Sequence, residues 1–116
     1  QIRRRILLQT KTLILTPRYL VELSDDICAI IPLPEVLWIY DHAAMRRTIK
    51  GRQLSYTIHV VTMKGEEYTL TGKSHREVSA IYHELNTRYP NFFFGYSKEH
   101  QEMVQYVLHE MKNEKA

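Results

Sequence analysis

The sequence has little cysteine and no long apolar segment. Its single cysteine, Cys28, lies in a short apolar run, residues 27–31. A lone cysteine excludes an internal disulfide and a zinc site built from cysteines, and it is typical of a reducing compartment. No apolar run approaches the roughly eighteen residues that a membrane-spanning helix needs. We therefore expect a soluble domain with a reduced, buried cysteine.

Recognisable catalytic and cofactor-binding motifs are also absent. No serine lies in a Gly-x-Ser-x-Gly elbow, and the glycines form no phosphate-binding loop. His75 and His83 are eight residues apart and His100 and His109 nine, so neither pair has the spacing that places two ligands on one helical face. We expect no enzymatic activity, no cofactor and no metal ion. A pocket that joined His59 or His83 to a carboxylate would instead favour an enzyme.

The composition is that of one globular domain. Hydrophobic residues make up 44% and charged residues 25% of 116 residues, which is enough for one core and too little for two. We therefore treat residues 1–116 as a single domain. The net charge of +3 is compatible with an anionic partner but does not require one. Because the first residue is Gln1 rather than Met, we expect a piece of a longer chain.

Apolar and β-branched residues predict five or six strands between about residues 5 and 71. A Thr16-Pro17 break divides residues 13–23 into two strand pieces, and the apolar residues 36–40 predict a further strand. The clearest alternation, over residues 54–60, resumes beyond Lys64-Gly65. This pattern predicts a β-hairpin with one buried face.

Two helices are predicted after the strands. Ser74 and Glu77 form a capping box before an apolar stripe, which predicts a helix over about residues 75–89, ending before Pro90. Residues 92–96 form an aromatic connector that we expect to seal the core. Ser97 then caps a second helix, over about residues 98–113. We expect its apolar stripe to be buried against its own domain: Met103, Val104, Val107, Leu108 and Met111.

Positive charge is concentrated in two clusters. One is at the start of the chain and the other lies within residues 42–53, which we interpret as a charged loop. A solvated loop is the simpler interpretation of such clusters, and contact with an anionic surface is the functional one. The candidate contact residues are Arg3, Arg4, Arg5, Arg46, Arg47, Lys50 and Arg52.

The order of these features resembles the bacterial pleckstrin-homology-like (PH-like) domains. Residues 16–20, residues 30–36, the hairpin with its glycine turn and the capped helix follow one another as in that family, over residues 12–89. The resemblance implies an α+β fold, in which an amphipathic helix caps a bent antiparallel sheet or partly open barrel of seven strands. The helix that follows Ser97 is an addition to the family pattern. The lipid-binding loop of eukaryotic relatives has no charged counterpart at Thr16-Pro17, so phosphoinositide binding does not carry over.

The resemblance also implies a binding or scaffolding role. Our leading hypothesis is a non-catalytic interaction module, located in the cytoplasm at the inner face of the membrane in a membrane-anchored bacterial protein. Its expected partners are a protein or an anionic membrane surface, together with a weak homodimer contact. The alternative is a nucleic-acid-binding module that uses the basic loop 46–52, and an enzyme ranks third.

Overall fold

The domain has an α+β fold of two sheets and two helices. The computed structural model describes residues 6–23, 29–89 and 92–115. Its strands are β1 (Leu8–Gln9), β2 (Leu13–Leu15), β3 (Tyr19–Glu22), β4 (Ala29–Pro32), β5 (Val36–Thr48), β6 (Gly51–Thr62), β7 (Glu67–Lys73) and β8 (Phe93–Phe94). Its helices are α1 (His75–Arg88) and α2 (Lys98–Lys115), and the 3-10 helix Leu33–Glu35 joins β4 to β5.

The first sheet is an antiparallel meander in the order β1-β2-β3-β4. The predicted break at Thr16-Pro17 is the turn between β2 and β3, where the Thr16 hydroxyl accepts a hydrogen bond from the Tyr19 amide at 3.0 Å. Alternate side chains of this sheet point inwards, so that Leu13, Leu15 and Leu20 are fully buried. Cys28, which we expect to be buried, lies outside the described residues.

The second sheet has the order β7-β6-β5-β8. Strands β5, β6 and β7 form an antiparallel meander, which includes the predicted β6–β7 hairpin, and β8 pairs in parallel with β5. The described residues therefore contain eight strands rather than the expected five or six. One reason is that the aromatic connector itself forms β8, which sends Phe92 and Phe94 into one core and Phe93 into the other.

The main core lies between the two sheets and α1. It contains side chains from the first sheet, such as Ile31, from the second sheet, such as Ile39 and Val60, and from α1, such as Ile81 and Leu85. The capping box at Ser74 is present, and it starts the helix at the predicted residue. In the described residues the two sheets do not join into one hydrogen-bonded ring. The expected partly open sheet arrangement, capped by an amphipathic helix and followed by a second helix, is confirmed.

Tyrosines attach α1 to both sheets. The Tyr82 hydroxyl donates to Asp41 on β5 at 2.5 Å, and the Tyr89 hydroxyl donates to the Pro17 carbonyl at 2.6 Å. Burial, together with the hydrogen bond to Asp41, raises the pKa of Tyr82 above its usual value. This hydroxyl therefore stays protonated and remains a donor at all ordinary pH values.

Helix α2 covers the outer face of the second sheet. A register irregularity between Val36 and Trp38 lets Leu37 and Trp38 both contribute to a second core on this face, where Val104 of α2 is buried. The predicted stripe is only partly right, since Met103 is 52% exposed. No helix in the described part of the chain is long and apolar enough to cross a membrane.

Candidate functional site: a projecting hairpin and its basic cleft

Strands β5 and β6 continue well beyond the rest of their sheet. The pairing of β6 with β7 ends at Tyr56 and Lys73, whereas the pairing of β5 with β6 continues for five further residue pairs, from Ala44 opposite Ser55 to Thr48 opposite Gly51. At about 3.3 Å per residue this two-stranded segment, residues 44–55, is about 17 Å long. We call it the projecting end. It helps to explain a radius of gyration of 15.3 Å, where a compact chain of this length has about 13 Å.

The projecting end corrects the interpretation of residues 42–53 as a charged loop. These residues are strand except for the two-residue turn Ile49-Lys50. The turn closes because Gly51 takes a positive φ of 118°, and the Thr48 hydroxyl donates to the Gly51 carbonyl at 2.8 Å. Residues 62–65 repeat the same Thr-x-Lys-Gly pattern at the β6–β7 turn, where Gly65 has a φ of 83°. This repeat was the sequence signal that would have revealed the first hairpin.

Four of the seven predicted contact residues lie on the projecting end. Arg47, Lys50 and Arg52 are exposed, and for Arg46 the structure describes only its place in β5. Arg3, Arg4 and Arg5 lie outside the described residues.

Two of these arginines face each other across the hairpin. Arg47 on β5 is the register partner of Arg52 on β6. Like charges placed directly opposite each other destabilise a β-sheet. Within residues 6–23, 29–89 and 92–115, no carboxylate lies within ion-pair distance of either arginine. The positive charge of the projecting end is therefore available to a partner.

Exposed apolar side chains lie among these charges, a feature that the sequence interpretation missed. Ile49 at the turn has a relative exposure of 106%, and the opposed residues Met45 and Leu54 are 60% and 54% exposed. The alternation of β5 and β6 places this pair on the same face as Arg47 and Arg52. The projecting end is therefore both basic and apolar.

A cleft of about 650 Å³ separates the projecting end from the junction of β7 and α1. We call it the basic cleft. Its two walls come from distant parts of the chain, which only the fold brings together. The lining residues are Arg47, Thr48, Ile49, Lys50, Gln53, Leu54, Ser55, Gly72, Lys73, Ser74 and Glu77.

The charged residues of the β7–α1 wall already have hydrogen-bond partners. Lys73 donates to Glu22 at 2.6 Å and to the Thr12 hydroxyl at 3.1 Å. Glu77 accepts from the Ser74 amide at 2.9 Å and from the Thr12 hydroxyl at 3.1 Å. Partial burial of Glu77 opposes its ionisation, but hydrogen bonds from Thr10, Ser74 and Thr12 outweigh it and lower the pKa of the carboxyl. The positive charge that has no carboxylate partner in the cleft is therefore that of the projecting end, whereas Glu77 contributes a carboxylate that neutral donors hold.

A second cluster of polar side chains lies on the face of the second sheet opposite the basic cleft. His59 Nε2 lies 3.0 Å from His42 Nδ1, and His59 Nδ1 lies 3.4 Å from Glu67 Oε2. Tyr40 stacks on His59 with ring centroids 4.6 Å apart. Burial and the neighbouring Glu67 raise the pKa of this tyrosine. His59 therefore lies near a carboxylate, which is one part of the arrangement that would favour an enzyme. However, neither this cluster nor His83 lines the basic cleft.

Metal binding has no evident site in the described part of the chain. In residues 6–23, 29–89 and 92–115, no three histidine, cysteine, aspartate or glutamate side chains are grouped so that they could hold a metal ion. Glu67 approaches the Nδ1 of His59, whereas His42 approaches its Nε2, so the three side chains do not converge on one point.

Comparison with known proteins identifies one family. Residues 9–104 match the model of a domain of unknown function, DUF6709. This match covers both sheets and α1, and it includes β8 and the first turns of α2. No curated protein and no solved structure matches the chain. The match extends over most of the sequence, and the chain therefore belongs to the DUF6709 family.

Proposed function

We propose that this domain is a non-catalytic interaction module that binds an anionic membrane surface through its projecting end. The observation that carries the proposal is Ile49, a fully exposed aliphatic side chain at the turn, next to Lys50 and close to Arg47 and Arg52. Exposed apolar tips are unfavourable in water, and basic residues around such a tip suit the boundary between lipid headgroups and acyl chains.

The expected affinity is weak and reversible. A basic residue near an anionic surface contributes about 1 kcal/mol, so that Arg47, Lys50 and Arg52 together contribute about 3 kcal/mol. Burial of an isoleucine side chain contributes about 2 kcal/mol. A total of about 5 kcal/mol corresponds to a dissociation constant somewhat below 1 mM. The module would therefore assist a membrane anchor elsewhere in a longer chain rather than replace one.

The arrangement of the strands supports the finer assignment to a PH-like domain. A meander of four strands is followed by a meander of three strands and a helix, so seven antiparallel strands precede the helix, the number that the sequence resemblance implies. We extend the proposal accordingly to a PH-like module at the cytoplasmic face of a membrane-anchored bacterial protein.

Nucleic acid is the alternative partner for the same basic residues. Binding to a phosphate backbone depends on positive charge and does not need an exposed isoleucine at the tip. The apolar character of Met45, Ile49 and Leu54 therefore favours the membrane, and a nucleic-acid duplex serves as the competing ligand in the test.

The test is co-sedimentation with vesicles. The domain should sediment with phosphatidylserine-containing vesicles but not with neutral phosphatidylcholine vesicles. Salt at about 0.5 M should abolish this binding, because screening then limits charge interactions to about 4 Å. Ile49→Ser should weaken binding about tenfold or more through lost apolar burial, whereas Ile30→Ser, at another exposed isoleucine, should not.

The contribution of positive charge to vesicle binding is tested with two double variants. Lys50→Glu/Arg52→Glu should abolish vesicle binding, whereas Lys98→Glu/Lys112→Glu, which makes the same change in net charge at exposed positions of α2, should leave most of it. Equal sedimentation with neutral and anionic vesicles would refute the membrane proposal. Salt-dependent binding to a DNA duplex that is unaffected by Ile49→Ser, without vesicle binding, would show a nucleic-acid module instead.

A further inference from the structure

We propose that the basic cleft binds a phosphorylated polyol, that is, a phosphate ester whose carbon skeleton carries free hydroxyl groups. The inference rests on the proposed function in that both use the projecting end, and it adds the chemical class of the ligand. The cleft is open to solvent, and its volume of about 650 Å³ exceeds what one phosphate group occupies.

The phosphate would lie at the wall that the projecting end provides. Arg47 and Lys50 both line the cleft. An arginine holds two phosphate oxygens at once through its planar fork of donors, and a lysine adds a compact positive charge. A dianion here would also relieve the repulsion between Arg47 and Arg52, which the register places opposite each other. This opposed arginine pair is unfavourable in the free protein, and a bound phosphate would offset the repulsion between the two positive charges.

The N-terminus of α1 does not supply the anion site. The Ser74 hydroxyl already accepts from the Glu77 amide at 3.1 Å, and Glu77 accepts from the Ser74 amide at 2.9 Å. The amides of Ser74 and Glu77 at this end of the helix are thus already bound by the capping box. Recognition of the phosphate therefore depends on the side chains of the projecting end.

The opposite wall suits hydroxyl groups better than a second anion. Glu77 remains ionised and would repel another negative charge, but its oxygens can accept hydrogen bonds from hydroxyls of the ligand. Ser55 and Gln53 supply neutral donors and acceptors along the side of the cleft. Gly72 has no side chain, and an added Cβ there would meet nothing within 4 Å, so space remains open beside this wall. Cations on one side with one carboxylate on the other select a ligand that has a phosphate at one end and hydroxyls at the other.

The probe is glycerol 3-phosphate, followed by amide shifts in a ¹H–¹⁵N NMR titration. Shifts should appear at residues 47–55 and 72–74 at millimolar concentrations, and inorganic phosphate should bind several-fold more weakly. Arg47→Gln should weaken binding about tenfold or more. Arg18→Gln, the same change at an exposed arginine outside the cleft, should have no effect. Unchanged amides would overturn the proposal, and equal affinity for inorganic phosphate would overturn its polyol part.

Two further measurements are needed. One distinguishes a lipid headgroup from a free metabolite as the ligand, and the other distinguishes a failure of the cleft proposal from a failure of the proposed membrane function. A lipid source predicts stronger binding to phosphatidylglycerol vesicles, whose headgroup is a glycerol phosphate, than to phosphatidylserine vesicles of equal charge. A free metabolite predicts glycerol 3-phosphate binding without that preference. Met45→Ser, at an exposed apolar side chain of the projecting end that does not line the cleft, should weaken vesicle binding but keep glycerol 3-phosphate binding. Probe binding without vesicle binding in the unaltered protein would refute only the membrane function, and vesicle binding without probe binding would refute only the cleft.

Discussion

Lys73 and Glu22 form a buried ion pair that joins the two sheets. Their side chains are 0% and 3% exposed, and Lys73 Nζ lies 2.6 Å from Glu22 Oε1. Lys73 ends β7 of the second sheet, whereas Glu22 ends β3 of the first. Thr12 adds a hydrogen bond to the ammonium group and another to Glu77. Burying two charges is costly, so this contact stabilises the fold only while both partners are present.

Removal of one partner should therefore cost far more than removal of both. Lys73→Met should lower the free energy of unfolding by about 3–5 kcal/mol, because it leaves the Glu22 carboxylate buried without a counter-ion. The double variant Lys73→Met/Glu22→Leu should recover a large part of that loss. Urea unfolding of the single and double variants measures both effects.

The exposed pair between Lys64 and Glu35, at 3.6 Å, is the matched control for this experiment. Lys64→Met should cost less than about 1 kcal/mol, because water already solvates both charges. A similarly small effect for Lys73→Met would show that water reaches the buried pair.

The two Thr-x-Lys-Gly turns show how short patterns define elements. In both turns a glycine with positive φ follows a two-residue tip, and an added Cβ at either glycine would meet nothing within 4 Å. The cost of a substitution therefore comes from the backbone conformation and not from a collision. At Thr62 the hydroxyl also accepts from the amides of Lys64 and Glu66, which holds the β6–β7 turn in place.

Gly65→Val should lower the free energy of unfolding by about 1 kcal/mol or more, because a β-branched residue tolerates positive φ poorly. Gly65→Asn is the control: it should cost clearly less, because asparagine enters this backbone region more easily. Thermal unfolding of the two variants makes the comparison. Equal melting temperatures for Gly65→Val and the unaltered domain would contradict the role of this glycine.

At the scale of the whole molecule, α2 determines whether the outer face of the second sheet is covered. Val104 is 2% exposed and packs in the cluster of Leu37, Trp38 and Val61. The Trp38 indole donates to the Gly95 carbonyl at 2.9 Å, and the Gly95 amide donates to the Ile39 carbonyl at 2.8 Å, so the start of α2 is attached to β5. Docking within one chain also avoids the entropy cost of association.

Deletion of residues 97–116 should therefore make the domain insoluble or much less stable, because it exposes the second core. Val104→Asp should cost several kcal/mol, since it buries an unpaired charge. Met103→Asp is the adjacent control, and it should change stability little because Met103 is exposed. Thermal unfolding of these variants measures the effects.

A dilution series of the intact domain should show a melting temperature independent of concentration, since the cover is intramolecular. A truncated domain that keeps its solubility and melting temperature would show that α2 belongs to an interface with another chain. A melting temperature that falls on dilution would support the weak homodimer contact, which stays a prediction.

The sequence alone determined those parts of the fold that depend on contiguous residues. The capping box at Ser74, the β6–β7 hairpin at Gly65, the break at Thr16-Pro17 and the start of α2 after Ser97 were all predicted, and the structure has each of them. Caps, tight turns and alternation act over a few residues, so their signals are local. The same is true of the basic character of residues 46–52, although not of their conformation.

Tertiary structure decided everything that depends on a distant partner. Residues 42–53 carry the charges of a loop, yet all but the turn Ile49-Lys50 are strand, because each of these finds its register partner on the opposite strand. Lys73 is buried only because Glu22, far away in the sequence, meets it there. The basic cleft exists because the fold brings the projecting end to the β7–α1 junction. Burial and the assembly of a site depend on long-range packing, which a pattern of neighbouring residues does not encode.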